Sequence, residues 1–185
     1  MSKIEWTNET WNPIVGCRPV SPGCENSYAE TRAKRTAQMQ PNGPYPDVVK
    51  HDRGEPLPLW NGKAIFLPDR LDKPLRWRKP RMVFVNSMSD LFHKDVTDEK
   101  IAAVFCSMAA APRHTFQVLT KRPERMREWF DWIGRQAKGH KTSVKWHEVL
   151  LLLSQVWASA SPAKTISAPT SQSRVCSSAL RLFAG

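Results

Sequence analysis

The residues best suited to chemistry fall in three short segments, and each segment directly follows a predicted strand. The first holds Cys17, Cys24 and Ser27, the second runs from Asn86 to Asp90, and the third runs from Thr120 to Arg122. In a parallel α/β sheet or barrel, functional groups gather at the carboxyl ends of the strands. We therefore expect the three segments to meet in one site, whereas the sequence assigns no catalytic residue.

The two cysteines of the first segment are the sharpest chemical signal, because six residues separate them on one predicted loop. The alternative is two unpaired thiols in a cytosolic protein. Four cysteines, at positions 17, 24, 106 and 176, are not the dense framework of a secreted disulfide protein. Cys106 lies on a predicted core-facing helix, where a free cysteine behaves as a small hydrophobe.

The other two segments also have structural interpretations. The alternative for Asn86 to Asp90 is a turn whose polar side chains cap their own backbone. The alternative for Lys121 and Arg122 is a solvated helix start. We interpret His93 and His114 as structural or exposed residues rather than metal ligands.

Periodicity and helix start and stop signals predict the elements that must position these segments. Strands are predicted within residues 4–17, 82–85 and 115–119, and helices at 28–39, from 97 to 112 and from 123 onwards. The two later helices carry apolar residues at core-facing spacing: Ile101, Val104, Phe105, Met108, and then Met126, Trp129, Phe130, Ile133. Residues 40–80 contain eight prolines, which indicates a long ordered excursion with a short helix around 69–77. The pattern predicts an α/β fold of parallel βα units, with a fourth strand beginning in 149–156.

The chain has 185 residues and a formal net charge of +11, from 28 Lys and Arg against 17 Asp and Glu. This charge favours an anionic partner, and basic clusters at 32–35, 70–81 and 121–127 favour nucleic acid, with Trp77 stacking on a base. The alternative is a solvated basic surface in which Trp77 anchors a helix. No apolar run approaches the roughly 20 residues of a membrane span, and residues 1–17 lack a secretory signal pattern. We expect a cytoplasmic protein with no membrane partner.

A set of motifs gives the chain a specific family resemblance over roughly residues 3–135. The motifs are Trp11-Asn12-Pro13, Gly16-Cys17, Ser21-Pro22-Gly23-Cys24, Tyr28-Ala29-Glu30, and two blocks at 84–92 and 116–126. The chain resembles the phage gene-product thirty-seven/sixty-eight family, the three-Cys-motif proteins of phages and prophages. That family has no settled activity.

The resemblance implies chemistry similar to that of radical S-adenosylmethionine enzymes, which use a full or partial (β/α) barrel. Three thiolates there hold a four-iron four-sulfur cluster, and its open iron binds S-adenosylmethionine. Cys17 and Cys24 are the implied cluster ligands, but the third cysteine position is Ser27, whose oxygen is a poor match for iron–sulfur chemistry. The implied cofactor-binding residues are Asn86, Ser87, Ser89 and Asp90, with Lys121 and Arg122 facing an anionic substrate or the cofactor carboxylate.

The last part of the chain differs from the rest in composition. Residues 149–185 are rich in Ser and Ala and contain no acidic residue, whereas residues 1–148 resemble an ordered α/β domain. We hypothesise that the reading frame shifts near residues 145–160 and truncates the protein. A full (β/α)8 barrel takes about 250 residues, so we expect a partial or truncated TIM-barrel-like fold.

These observations predict a phage or prophage protein in the bacterial cytoplasm. Its expected function is that of a radical S-adenosylmethionine-type iron–sulfur protein, degenerate because of Ser27 and the truncated barrel. The alternative is a non-enzymatic basic phage protein that binds nucleic acid. A partner protein encoded nearby is compatible with either function.

Overall fold

The computed structural model describes residues 5–24, 27–50 and 60–138, and within them lie two small sheets and four α-helices. The strands are β1 (Glu9–Trp11), β2 (Ile14–Val15), β3 (Ile65–Phe66), β4 (Met82–Val85) and β5 (Thr115–Val118). The helices are α1 (Tyr28–Met39), α2 (Lys73–Arg76), α3 (Asp98–Ala109) and α4 (Pro123–Lys138). No helix among the described residues is both long enough and apolar enough to cross a membrane. The predicted strand at 149–156 and the tail at 149–185 lie outside the described residues.

Strands β1, β4 and β5 form a parallel sheet in which neighbours in space follow the order of the chain. β4 is the central strand, with Trp11 of β1 and Val118 of β5 both in register with Val85. The prediction of an α/β fold with a parallel sheet is therefore confirmed. Across residues 5–138, as far as they are described, three strands make up this sheet and do not close into a barrel.

One face of the parallel sheet carries the main hydrophobic core. Side chains alternate along a strand, so Val83 and Val85 share a face with Phe116 and Val118 and pack in one cluster with α3 and α4. Val83 and Val85 are fully buried. Burying one such side chain contributes about 1.5–3 kcal/mol to folding. The buried side chains of this face therefore stabilise the packing of the helices on the sheet.

The predicted apolar stripes mostly face this core. Ile101 and Val104 of α3 are fully buried, and Trp129 of α4 stacks on Phe105 with ring centroids 4.6 Å apart. Phe130 differs from the prediction, because its side chain remains 47% exposed. Successive helical residues point about 100° apart, so burying Trp129 turns Phe130 towards the edge of the core.

The strand predicted within residues 4–17 is two separate strands. Pro13 lies between them and lacks the N–H that a continuous ladder needs. β1 joins the parallel sheet, whereas β2 pairs with β3 in an antiparallel two-stranded sheet. The first strand of the prediction thus contributes to two sheets and ends at the cysteine loop.

The proline-rich excursion contributes β3 and α2 to the fold. The helix predicted around 69–77 is a 3-10 turn at Pro68–Arg70 followed by the four-residue α2. The Arg113 guanidinium donates hydrogen bonds to the carbonyls of Leu75 and Trp77, each at 2.7 Å, and so satisfies the end of α2. The excursion is therefore anchored beside the starts of β4 and β5.

Candidate functional site

A cavity of about 530 Å³ lies at the carboxyl ends of the parallel strands, and we call it the first cavity. All nine residues that the sequence and the resemblance singled out line it: Cys17, Cys24, Ser27, Asn86, Ser87, Ser89, Asp90, Lys121 and Arg122. They come from three segments up to 105 residues apart along the chain. The expectation that the three segments meet in one site agrees with this geometry.

Gly16 sets the course of the cysteine loop. Its φ is +89°, a conformation that L side chains rarely adopt, and its amide donates to the Met88 carbonyl at 3.1 Å. A Cβ on Gly16 would lie 2.3 Å from the Lys63 carbonyl oxygen and 2.7 Å from Cγ1 of Val48. Only glycine fits at this position, where the backbone passes close to Lys63 and Val48, and this path of the chain directs Cys17 into the cavity.

Each thiol of the loop lies beside a cation from the end of β5. Both terminal nitrogens of Arg122 are 4.0 Å from Sγ of Cys17. Nζ of Lys121 is 3.5 Å from Sγ of Cys24 and also donates to the Gly23 carbonyl. Positive charge close to sulfur favours the thiolate form.

Burial and charge shift the pKa values of the two thiols in opposite directions. Burial raises the pKa of Cys17, and the opposing effect of Arg122 is smaller. For Cys24, burial opposes ionisation, but hydrogen bonds from Val20 and Ser21, together with the charge of Lys121, lower the pKa of its thiol. Cys24 therefore ionises more readily than Cys17.

Asp90 holds the turns after β4 and β5 together. Its carboxylate accepts hydrogen bonds from Oγ1 of Thr120 at 2.8 Å, the Lys121 amide at 3.0 Å and Nη1 of Arg122 at 2.8 Å. It also accepts the amide of Phe92 at 3.0 Å, and its residue is only 6% exposed. Asp90 thus fixes the Arg122 guanidinium and the backbone of Lys121, and its oxygens are already engaged by protein donors.

Asn86 lines the first cavity and carries a buried, unpartnered hydrogen-bond donor. Its Oδ1 accepts the buried amide of Ile14 at 3.2 Å, which assigns the other terminal atom as Nδ2. That Nδ2 is buried and has no hydrogen-bond partner. Asn86 also has a φ of +58°, unusual for a residue other than glycine. Strain and an unsatisfied donor at one cavity-lining residue are typical of a binding position.

The two serines of the same turn connect it to the segment before the cysteine loop. Oγ of Ser87 donates to Oδ1 of Asn12 at 3.1 Å, and Oγ of Ser89 donates to the Ile14 carbonyl at 3.0 Å. These bonds cross to another segment, unlike the self-capping bonds of the structural alternative. Each hydroxyl keeps lone pairs that can accept from a ligand.

The structure adds cavity residues that sequence reasoning did not single out as binding residues. Glu30 is 1% exposed on the first turn of α1, and Tyr28 donates from its hydroxyl to the Ser87 carbonyl at 3.3 Å. Thr120 and Trp60 also line the cavity. The signal for Glu30 and Tyr28 was their place in the Tyr28-Ala29-Glu30 motif, whereas Trp60 reaches the site only through the folding of the excursion.

Trp77 lies away from the first cavity, beside the starts of β4 and β5. Its ring has Arg81 at 5.3 Å and Lys73 at 5.6 Å from the centroid, and it meets His114 edge-on at 5.5 Å. These contacts favour the anchoring interpretation of Trp77. His114 is buried with Nε2 3.0 Å from the Pro74 carbonyl, as expected of a structural histidine.

His93 is also buried, and it supports the turn after β4. Its Nδ1 accepts the Asp95 amide at 3.2 Å. Burial is the main cause that lowers the pKa of His93, with a further contribution from Arg122. The neutral ring is thus the form that the fold accommodates.

Comparison with protein families gives one result for this chain. A profile described as "Protein of unknown function (DUF5131)" matches residues 1–175. The chain belongs to this family. The matched range includes most of the tail that begins at residue 149, and the frame-shift hypothesis stays a prediction. No curated protein and no solved structure matches the chain.

The donor set of this family member does not fit a cluster held by three thiolates. The loop supplies the thiols of Cys17 and Cys24, and Ser27, which the resemblance implies as the third position, lies directly before α1 and supplies a hydroxyl. Across the described ranges, no group of three or more His, Cys, Asp or Glu side chains is arranged to hold a metal ion. The same cavity can take a carboxylate group beside Lys121, because Arg122 pairs with Asp90, whereas the Lys121 ammonium contacts the Gly23 carbonyl and Sγ of Cys24.

Proposed function

We propose that this protein is a degenerate phage or prophage relative of the radical S-adenosylmethionine enzymes. It retains the part of the cofactor pocket that binds a ligand carboxylate and has lost the part that binds the cluster. The observation that carries the proposal is that Lys121, Arg122 and Asn86, whose Nδ2 has no partner, line one cavity. A buried donor without a partner costs about 1–3 kcal/mol, so a ligand oxygen that draws Nδ2 towards the cavity would remove this cost.

The arrangement of the elements supports a partial TIM-barrel-like fold for this function. Consecutive parallel strands are neighbours in the sheet, and α3 and α4 pack on the same face. A barrel places its helices on the outer face of the sheet. The cavity then occupies the carboxyl edge, where barrels hold their active sites.

The ligand that the resemblance implies is S-adenosylmethionine, which carries a carboxylate, an ammonium group and a sulfonium centre, so its carboxylate is the part that Lys121 can complement. Asn86 would donate to the carboxylate, and Lys121 would complement its charge. The hydroxyl of Ser87 would accept from the amino group. When S-adenosylmethionine is cleaved by a reduced cluster it supplies an adenosyl radical, but the donor set here supports binding without that reaction.

Anaerobic treatment with iron and sulfide tests the lost cluster. We expect the wild-type chain to acquire no stable brown chromophore and the Ser27→Cys variant to acquire one, because that substitution restores the third thiolate. A Ser27→Cys chain that binds no cluster would overturn the radical-enzyme relationship. A stable cluster in the wild-type chain would overturn the degeneracy.

Calorimetric titration with S-adenosylmethionine tests the retained part. Asn86→Asp keeps the acceptor for the Ile14 amide but replaces the free donor with an oxygen, so it should weaken binding at least about tenfold. Asn42→Asp makes the same change of charge at an exposed turn position and should bind normally. Equal affinity in all three proteins would contradict the role of Asn86.

Nucleic-acid binding by a non-enzymatic protein is the second candidate. The contacts of Trp77 do not favour it, but the exposed cations Arg18, Lys63 and Lys94 near the first cavity do. Binding to single-stranded DNA or RNA that collapses between low and moderate salt would support this function. Binding that is insensitive to salt would exclude it.

A further inference from the structure

A second cavity of about 590 Å³ adjoins the first, and Pro19 and Trp60 line both. Its charged lining residues are Arg18, Lys63, Lys94 and Asp95. Three cations and one carboxylate give this lining a net charge of +2. Its size is that of a small-molecule site.

The three cations of the second cavity are available to a ligand. Arg18, Lys63 and Lys94 are all exposed. In the described part of the chain none of the three takes part in an ion pair, whereas Arg81, Arg122 and Arg125 each do. The Asp95 carboxylate instead lies 3.7 Å from Nδ1 of the buried His93.

The backbone that presents Lys63 is fixed before any ligand arrives. The Lys63 amide donates to Oδ1 of Asn61 at 3.1 Å, and Nδ2 of Asn61 donates to the Asp47 carbonyl at 2.8 Å. Gly62 between them has a φ of +89° and lies close to the side chain of Arg18. This tight turn holds Lys63 beside Arg18 and reduces the entropy that binding must overcome.

The backbone around the other two cations, Arg18 and Lys94, is connected to residues of the first cavity. Nη2 of Arg122 donates to the Arg18 carbonyl at 2.8 Å. Lys94 follows the buried His93 on the turn that begins with Asp90. The two cavities are therefore built on the same loops, and a ligand in one is a neighbour of a ligand in the other.

We propose that the second cavity is a phosphate-binding subsite, and that the substrate of this protein carries a phosphate. A phosphate monoester has a charge of about −1.5 to −2 at pH 7, which matches the net charge of the lining, whereas a carboxylate would leave one positive charge uncompensated. Three side-chain cations provide several charge-assisted donors to its oxygens. The subsite rests on the proposed function only in treating the first cavity as the place where the rest of the ligand binds.

Two sources share this chemistry: a free phosphorylated molecule and the backbone of a single-stranded nucleic acid. Inorganic pyrophosphate, a mononucleotide and a single-stranded oligonucleotide are the probes that separate them, each titrated by calorimetry at several salt concentrations. Lys63→Gln with Lys94→Gln should raise the Kd of every probe that binds by at least about tenfold. The control is Arg78→Gln with Lys79→Gln. It removes the same charge at exposed positions that precede the start of β4, at the end of the sheet away from the cavities.

Each outcome of this experiment decides something. Equal affinity for the mononucleotide and the oligonucleotide assigns a free phosphorylated substrate. Tighter oligonucleotide binding, with a salt slope that falls by about 1.4 in the double lysine variant, assigns a nucleic-acid strand, at about 0.7 per phosphate contact. Absence of binding by all three probes, or equal losses in the control, overturns the subsite. Because Asn86→Asp affects the first cavity alone, loss of S-adenosylmethionine binding with intact pyrophosphate binding would separate the two proposals.

Discussion

Replacing Asp90 with asparagine would break the connection between the turns that form the first cavity. The substitution keeps the size of the side chain but turns one of the two carboxylate oxygens into an NH2 group. The Lys121 amide and the Arg122 guanidinium both donate to Oδ2, and Thr120 and Phe92 donate to Oδ1. In one orientation the NH2 group faces the Lys121 amide and the Arg122 guanidinium, and in the other it faces the Phe92 amide.

The magnitude follows from the burial of the ion pair. The side chains of Arg122 and Asp90 are 13% and 8% exposed, so water screens the pair weakly. Breaking one partner of a buried pair costs about 3–5 kcal/mol, and the residual exposure of Arg122 favours the lower end. At about 2–4 °C per kcal/mol for a chain of this size, a loss of about 3 kcal/mol lowers the Tm by about 6–12 °C.

Urea unfolding followed by far-UV circular dichroism measures this loss. Asp72→Asn is a matched control, because Asp72 pairs with Arg76 where the side chains are 46% and 73% exposed. Exposed pairs contribute about 0–1 kcal/mol, so the control should unfold close to the wild type. An Asp90→Asn variant within about 0.5 kcal/mol of the control would refute the assignment of Asp90 as the connecting residue.

Four further predictions test other parts of the structure. Gly16→Ala should destabilise the protein by about 2–4 kcal/mol in urea unfolding, from backbone strain and overpacking. Gly134→Ala, with open space around the added methyl, should stabilise helix α4 by up to about 1 kcal/mol, and a loss there would contradict the geometry. Iodoacetamide at pH 7 should modify Cys24 faster than Cys17, because the pKa of Cys24 is lowered and that of Cys17 is raised; mass spectrometry that finds the opposite order would refute these shifts. Since burial lowers the pKa of His93, the unfolded chain binds its proton first, so the free energy of unfolding should fall as pH drops below about 6.5. His93→Gln should reduce this dependence of the free energy of unfolding on pH. An unchanged pH dependence in the variant would contradict the role of His93.

The sequence was sufficient for the parts of the fold that depend on local pattern. Apolar runs identified β4 and β5, and 3.6-residue periodicity identified the core faces of α3 and α4, because these signals arise within one element. The same reasoning predicted one strand where β1 and β2 are separate, although Pro13 marks the break between them. Nothing local to residues 4–17 says which strand each half pairs with, and that choice depends on β3 and β4, more than 45 residues away.

The candidate site divides in the same way. The sequence by itself determined that two thiols, a polar turn and two cations follow successive strands, and parallel topology requires such ends to meet. Only the tertiary structure decided what each group does there. The carboxylate of Asp90 accepts hydrogen bonds from protein donors, whereas Nδ2 of Asn86 has no hydrogen-bond partner. It also decided that Lys63 of the proline-rich excursion joins Arg18 in a second cavity. Burial, ion pairing and the approach of distant loops depend on contacts between residues far apart in the chain. The residue type at a single position therefore does not determine them.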